Sequence, residues 1–199
     1  FPRANYKCNI TLKQGVALIG ASGPSTDPLL GTFIEAFNTA LPTITIDPAA
    51  ARVQIRSLAI YNSVSHGISR SAGTGAKQDF IIENCHIFGG SSGAGIYFEG
   101  NVEEVQVRDC RLTNGQYGFY KANVVEGGGG NSAFFNSTFS NVYCTGQSLN
   151  GLFFDGGTGT VLFSNILVIA TQRSALRIST GGSQGCTFIG FVTEQSCLA

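Results

Sequence analysis

GIYFEGNVEEVQVRDCRLTNGQYGFYKA, residues 95–122, contains one strand-like signature, a second of a different pattern, and then a return of the first. The first, GIYFE (95–99), recurs as GISRS (67–71), GFYKA (118–122), GLFFD (151–155) and ALRIS (175–179), which aligns Ile68, Ile96, Phe119, Leu152 and Leu176 in one apolar column. The second, VRDCRL (107–112), recurs as IRSLAI (55–60), IENCHI (82–87), FFNSTF (134–139) and FSNILV (163–168) in the frame apolar-x-polar-x-x-apolar. Its polar column is Ser57, Asn84, Asp109, Asn136 and Asn165, at steps of 27, 25, 27 and 29 residues. The closing apolar column is Ile60, Ile87, Leu112, Phe139 and Val168. Each signature is short and β-rich, with Gly, Ser or Asn at its ends, and so reads as a strand of a few residues ended by a turn. A unit of about 25 residues built this way cannot bury its own apolar side, but stacked units bury one continuous column. The predicted fold is all-β: a right-handed, single-stranded parallel β-helix of about seven coils, spaced roughly 4.8 Å apart like strands of any sheet. Asn tolerates the left-handed backbone of a tight bend and its amide can hydrogen-bond along the stack. A leucine-rich repeat has a similar period, but the LxxLxLxxN consensus is absent.

Composition narrows the function. The 199 residues include 27 glycines, roughly twice ordinary usage, and only 12 basic and 12 acidic side chains. A balanced, sparse charge offers no field to steer nucleic acid or an anionic membrane to the chain. No stretch approaches the roughly 18 apolar residues of a membrane span, and the first fifteen residues lack the apolar core of a signal peptide. Methionine is absent even at position 1, so the chain reads as a piece of something longer. Cys8, Cys85, Cys110, Cys144, Cys186 and Cys197 form no CxxC pair and no zinc spacing, and most are expected to be buried free thiols. No metal or other cofactor is expected.

The alternation of apolar-x-Asn-x-x-apolar with Gly-Ile-x-apolar resembles the pectin-lyase-like β-helix superfamily. More narrowly, FPRANYKCNITLKQGVALIGAS (1–22) resembles the leading segment of bacteriophage tailspike and related pectate-lyase-superfamily domains. Phe1, Pro2, Tyr6, Leu12, Gly15, Val16, Leu18 and Gly20 match that pattern, while Ala4 stands where a glycine is usual. The resemblance implies a single β-helix domain over 1–199, truncated at both ends, in a homotrimer together with other virion tail proteins. It places the chain in a virion tail or outside the cell, with a bacterial surface polysaccharide as partner. The fold is shared by lyases, hydrolases, epimerases and non-catalytic adhesins, so the chemistry has to come from the site.

Two segments interrupt the repeat. Residues 21–43 form a Pro- and Gly-bounded excursion in which LLGTFIEAFNTAL (29–41) is expected as a short helix, with Leu30, Phe33, Ile34 and Phe37 on one face. Residues 123–132, NVVEGGGGNS, form a glycine-rich loop without the GxxxxGK[ST] context of a phosphate loop.

Side chains alternate across a strand. With Ile96 and Phe98 inward, the outward columns are Tyr97, Tyr120, Phe153, Arg177 and Glu99, Ala122, Asp155, Ser179. Aromatic faces suit the apolar faces of sugar rings, and carboxylates and Arg suit their hydroxyls, so Tyr97, Tyr120, Phe153 and Arg177 are the expected substrate-binding residues. Glu99 and Asp155 are the expected catalytic pair. Two coils separate them, roughly 9–10 Å at the backbone. Side-chain rotation brings that separation within the inverting-glycosidase window of about 6.5–9.5 Å, and not within the retaining one. Glu126, in the glycine-rich loop, can stand in for either acid or contact substrate. His66 and His86 fall at different places in the repeat and read as ordinary surface histidines. There is no Asp-Asp pair of the polygalacturonase type, and no acid cluster like the calcium site of pectate lyases. The expected function is the β-helix portion of a tailspike- or tail-fibre-like protein that binds, and as a glycoside hydrolase cleaves, bacterial surface polysaccharide. The alternatives are a non-catalytic virion or adhesin stalk, and a secreted polysaccharide lyase or hydrolase.

Overall fold

A computed structural model of the chain describes residues 2–21, 23–24, 31–73, 78–124, 132–179 and 183–194. Its strands pair in parallel and stack as the coils of a β-helix. Among the described residues, seven short strands make one sheet: Ile10–Leu12, Ile44–Ile46, Ile68–Arg70, Ala94–Glu99, Tyr117–Ala122, Asn150–Phe154 and Leu176–Ile178. They lie in register, so that Ile10, Ile44, Ile68, Ile96, Phe119, Leu152 and Leu176 form one column. A second sheet, of thirteen strands among the described residues, runs along the other sides of the windings and ends in the longer strands Val105–Thr113, Ala133–Thr145, Gly157–Ile169 and Thr187–Glu194.

Paired left-handed residues shape the bends. Arg52 and Ser57, Asp79 and Asn84, Glu104 and Asp109, Asn136 and Asn141, and Thr160 and Asn165 all have positive φ, five residues apart, and Gly185 and Gly190 continue the series. Between the two bends of each pair runs a four-residue strand segment. At the second bend the side chains form a file: Asn84 Nδ2 donates to Ser57 Oγ at 3.2 Å, Asn141 Nδ2 to Asp109 Oδ1 at 2.8 Å, and Asn165 Nδ2 to Asn141 Oδ1 at 3.1 Å. Left-handed backbone costs a side-chain-bearing residue on the order of 1–2 kcal/mol, and these amide contacts offset part of it.

The file corrects the expected column at one position. Asn141, not Asn136, stands between Asp109 and Asn165, and Cys144, not Phe139, lies between Leu112 and Val168. Phe139 pairs instead with Val107 and Phe163. The true counterpart of FSNILV is FSNVYC (139–144), five residues further on than FFNSTF. Both windows fit the pattern because Asn136 and Asn141 occupy successive bends of the same coil.

The glycine that opens GIYFE and its relatives has a steric cause. A Cβ on Gly67, Gly95 or Gly118 would lie 2.7–2.8 Å from the carbonyl oxygen of the equivalent glycine on the next coil, and one on Gly151 2.7 Å from that of Ala175. It would also meet the opposing core, at 2.5 Å from Ile87 for Gly67 and at 2.5 Å from Val168 for Gly151. At these four coils the two sheets converge too closely for a side chain, whereas Thr43 and Ala175 fill the equivalent position in two others.

Of the short helix expected at 29–41, the described residues 31–41 are not helical. Thr32–Glu35 is a strand between Ala4–Lys7 and Ala59–Tyr61, with Thr32 and Ile34 buried. A period-two reading of TFIE, inward at Thr32 and Ile34, accounts for it better than a helical face. Leu30 and residues 125–131 of the glycine-rich loop lie outside the described residues, as do Phe1 and Glu126.

The interior is a ladder of large rings. Phe98, Phe119, Phe134, Phe139, Phe154 and Phe163 are fully buried, with Phe119 4.9 Å from Phe139 and 5.2 Å from Phe154 between ring centroids. Cys8, Cys85, Cys110, Cys144 and Cys186 are free thiols, and the middle three are buried in this core. Burial pushes the Cys144 thiol up to about 12, and the contact with Cys85, together with burial, holds Cys110 well above the ordinary range. Such thiols pack as small hydrophobes and do not react.

Candidate functional site

The short sheet builds the flank on which the candidate residues sit. Tyr97, Tyr120, Phe153 and Arg177 occupy one in-register outward column. Tyr97 and Tyr120 ring centroids are 5.4 Å apart, Tyr120 and Phe153 are stacked at 4.9 Å and 5°, and the Arg177 guanidinium lies 5.1 Å over Phe153. Phe153 points outward yet is only 8% exposed, because its neighbours cover both faces.

A second column, the residue just before each corner glycine, was missed by sequence reasoning. It holds His66, Ala94, Tyr117 and Asn150, of which His66 and Tyr117 are partly exposed and Ala94 and Asn150 are buried. The His66 ring stacks on Tyr97 at 4.3 Å and 8°, while Tyr117 lies 4.5 Å from Tyr120 and 5.7 Å from Phe153. Small Ala94 leaves His66 room to reach across to the next coil. The available signal was the polar or aromatic residue preceding the glycine in HGI and YGF. The aromatic surface is therefore two columns wide and runs from His66 to Phe153.

The acids flank this surface. Tyr97 Oη donates to Glu99 Oε1 at 2.6 Å, and the Ala72 N–H donates to Glu99 Oε2 at 3.0 Å, which fixes the carboxylate in one orientation. Glu99 is in register with Ala122, and Asp155 lies on the following coil, its N–H bonded to Lys121 O at 2.8 Å. Two coil spacings therefore separate the acids, roughly 9–10 Å at the backbone. The Asp155 carboxylate accepts the Ser179 hydroxyl. Tyr120 sits between the two acids. Its hydroxyl is pushed above the usual phenol range by burial and then by the negative charge of Asp155 and, more weakly, Glu99. Burial and the bond to Glu99 raise Tyr97 further. Both phenols therefore stay protonated and act as donors over the physiological range.

Two basic residues lie directly beneath this flank. Arg70 and Lys121 point inward on either side of Phe98 in the core column and are 0% and 1% exposed. Arg70 donates to Glu99 O at 2.7 Å and to Pro48 O at 3.2 Å, and Lys121 Nζ to Ala122 O at 2.8 Å and Ser132 Oγ at 2.7 Å. A buried cation needs such partners. Here Arg70 clamps the end of the strand that carries Glu99, and Lys121 ties the end of Tyr117–Ala122 to Ser132, where the chain leaves for an excursion and returns from it.

His66 and His86 are not the surface histidines expected. His66 Nδ1 accepts the Ala94 N–H at 3.0 Å, and burial lowers its pKa to about 4 against the opposing pull of Glu99. His86 packs 4.1 Å from Phe88, contacts Thr113 Oγ1 at 3.0 Å, and is lowered to about 4 by burial and then by Arg111. In the unfolded chain each takes up its proton near pH 6.5, and in the fold only near 4. The unfolded state therefore binds more protons in that window, so stability is full above about pH 6.5 and falls as the pH drops toward 4. Thermal melts at half-unit steps should show a falling Tm between pH 6.5 and 4, with a shallower slope in a His66→Gln/His86→Gln variant. A slope identical in the two proteins contradicts the assignment.

Among the described residues no group of three or more His, Cys, Asp or Glu is arranged to hold a metal ion. On the long sheet, Arg56, Glu83 and Arg108 form an ion ladder at 3.2 and 2.9 Å, a partly exposed arrangement of small energetic weight.

Comparison with protein-family models and with curated protein sequences found no match. Among solved structures, the fold is similar to the enzymatically active domain of tailspike protein 2 of bacteriophage CBA120, with a TM-score of 0.49 and 11% sequence identity. That match covers 96% of this chain and 38% of the other, so the chain spans well under half of that structure's length.

Proposed function

We propose that this chain is the β-helix portion of a phage tailspike- or tail-fibre-like protein whose aromatic flank binds a bacterial surface polysaccharide and hydrolyses it. The observation that carries this reading is the continuous ring surface His66–Tyr97–Tyr120–Phe153 across successive coils, with Glu99 and Asp155 along its margin. A linear glycan laid along the stack meets the partly exposed rings of His66, Tyr97 and Tyr120, which Phe153 buttresses from beneath, and the hydroxyls at the edges of its sugars meet the phenols and carboxylates. With roughly 9–10 Å between the acid-bearing backbones, one carboxyl protonates the glycosidic oxygen and the other activates a water on the opposite side of the sugar, the inverting arrangement. The sequence resemblance of residues 1–22 supports a place in a virion tail, as a homotrimer with other tail proteins.

The test is incubation with capsular polysaccharide and lipopolysaccharide, with new reducing ends and bound glycan both measured. Tyr120→Ala removes the central ring and should weaken binding roughly tenfold or more, as truncation of a buried aromatic anchor does. New reducing ends support the hydrolase. Binding without cleavage favours the adhesin or stalk, and an ultraviolet-absorbing unsaturated product favours a lyase. An intact protein that neither binds nor cleaves any of these glycans overturns the proposal.

A further inference from the structure

We infer that the aromatic platform has a direction and takes an acidic glycan, with a carboxylated sugar seated at its Arg177 end and uncharged sugars over Tyr97 and Tyr120. This rests on the glycan-binding reading and adds a substrate class to it.

Arg177 is exposed, and its guanidinium lies over Phe153 in a cation–π contact. Arg173, at the start of the same winding, is also exposed. Among the described residues the ion pairs are Lys13–Asp47, Arg52–Asp79, Arg56–Glu83 and Arg108–Glu83, and neither Arg173 nor Arg177 enters one. Asp155, whose strand neighbours that of Arg177, accepts the Ser179 hydroxyl. Arg177 therefore presents its fork of N–H donors at the end of the ring stack, oriented by an aromatic face and matched in shape to a carboxylate.

The other end has the opposite character. Glu99 lies beside Tyr97, and His66, stacked on Tyr97, is neutral above about pH 4. Beneath it Arg70 and Lys121 are buried, so an anionic sugar there meets a carboxylate and no exposed cation of that strand pair. From Tyr97 to Arg177 the column spans three strand spacings, roughly 14 Å, so the charges at its two ends are felt separately at physiological ionic strength, where screening acts over about 8 Å.

The experiment immobilises a panel of acidic capsular polysaccharides, each as purified and after chemical reduction of its carboxylates to alcohols, and measures binding of the whole chain and of Arg177→Gln, Arg177→Lys and Glu99→Gln. The wild type should bind carboxylated forms at least tenfold more tightly than the reduced forms, with the preference shrinking as salt rises. Arg177→Gln should abolish the preference, lowering affinity for the carboxylated forms far more than for the reduced forms. Arg177→Lys should keep part of it, and Glu99→Gln all of it. Equal binding of carboxylated and reduced forms by the wild type, or a loss in Arg177→Gln that is the same for both, overturns this inference and leaves the platform standing. Binding of neither form, with Tyr120→Ala indistinguishable from wild type, removes the platform itself.

Discussion

Changing Glu99 to Gln and Asp155 to Asn together is expected to lower polysaccharide hydrolysis at least about a thousand-fold, since each acid–base partner contributes about 10²–10⁴-fold. Binding should stay within about threefold. The amides keep the size and much of the hydrogen bonding of the acids: the amide oxygen at position 99 can still accept from Tyr97 Oη or Ala72 N–H, and neither variant removes a ring from the stack proposed to bind the glycan. What they lose is the capacity to give and take a proton. Each single variant should fall nearly as far as the double one, because an inverting reaction needs the acid and the base in the same step. Reducing-end release by the intact protein and the three variants, beside binding by each, decides the matter. Turnover unchanged in the double variant removes the pair from the chemistry.

Legibility in the sequence follows the strength of local constraint. The Ile68–Ile96–Phe119–Leu152–Leu176 column was readable because nearly every member sits one residue after a glycine that sterics enforce, so two signals coincide in coil after coil. The bend column was readable at Ser57, Asn84, Asp109 and Asn165 and shifted by five residues at the coil that follows the glycine-rich loop. There the step from Asp109 to Asn141 is 32 residues, longer than the others, and Asn136 offered a false match of nearly the right spacing. The strand at Thr32–Glu35 was hidden because Phe33, Ile34 and Phe37 also fit a helical stripe, and only pairing with Ala4–Lys7 and Ala59–Tyr61 selects the extended form. At the candidate site, alternation along single strands sufficed to place Tyr97, Tyr120, Phe153 and Arg177 in one file. It could not reveal His66, which reaches Tyr97 from the neighbouring coil, nor the buried Arg70 and Lys121, whose charge argues for an outward position until their main-chain partners are seen.

Phe119→Ala is expected to destabilise the fold by about 3–5 kcal/mol, the range for truncating a large buried aromatic. Phe119 is fully buried at the meeting point of the ring ladder, with centroids 6.0 Å from Phe98, 5.7 Å from Phe134, 4.9 Å from Phe139 and 5.2 Å from Phe154. Coils above and below are pinned by their own strand pairing to Tyr117–Ala122, so they cannot close on the cavity without losing register. A stacked solenoid draws its stability from interfaces between neighbouring repeats, so weakening one central interface should let the coils on either side open separately. Urea denaturation followed by circular dichroism should show an earlier midpoint and a broader transition, and hydrogen exchange should be faster across both adjoining coils. Tyr120→Ala is the control on the opposite face of the same strand. It removes a partly exposed ring from the outward stack rather than from the ladder, so it should weaken glycan binding while moving the urea midpoint much less than Phe119→Ala does. Equal loss of stability in the two variants would mean that the flank assigned to substrate is a second structural core, and that the rings stacked there serve packing alone.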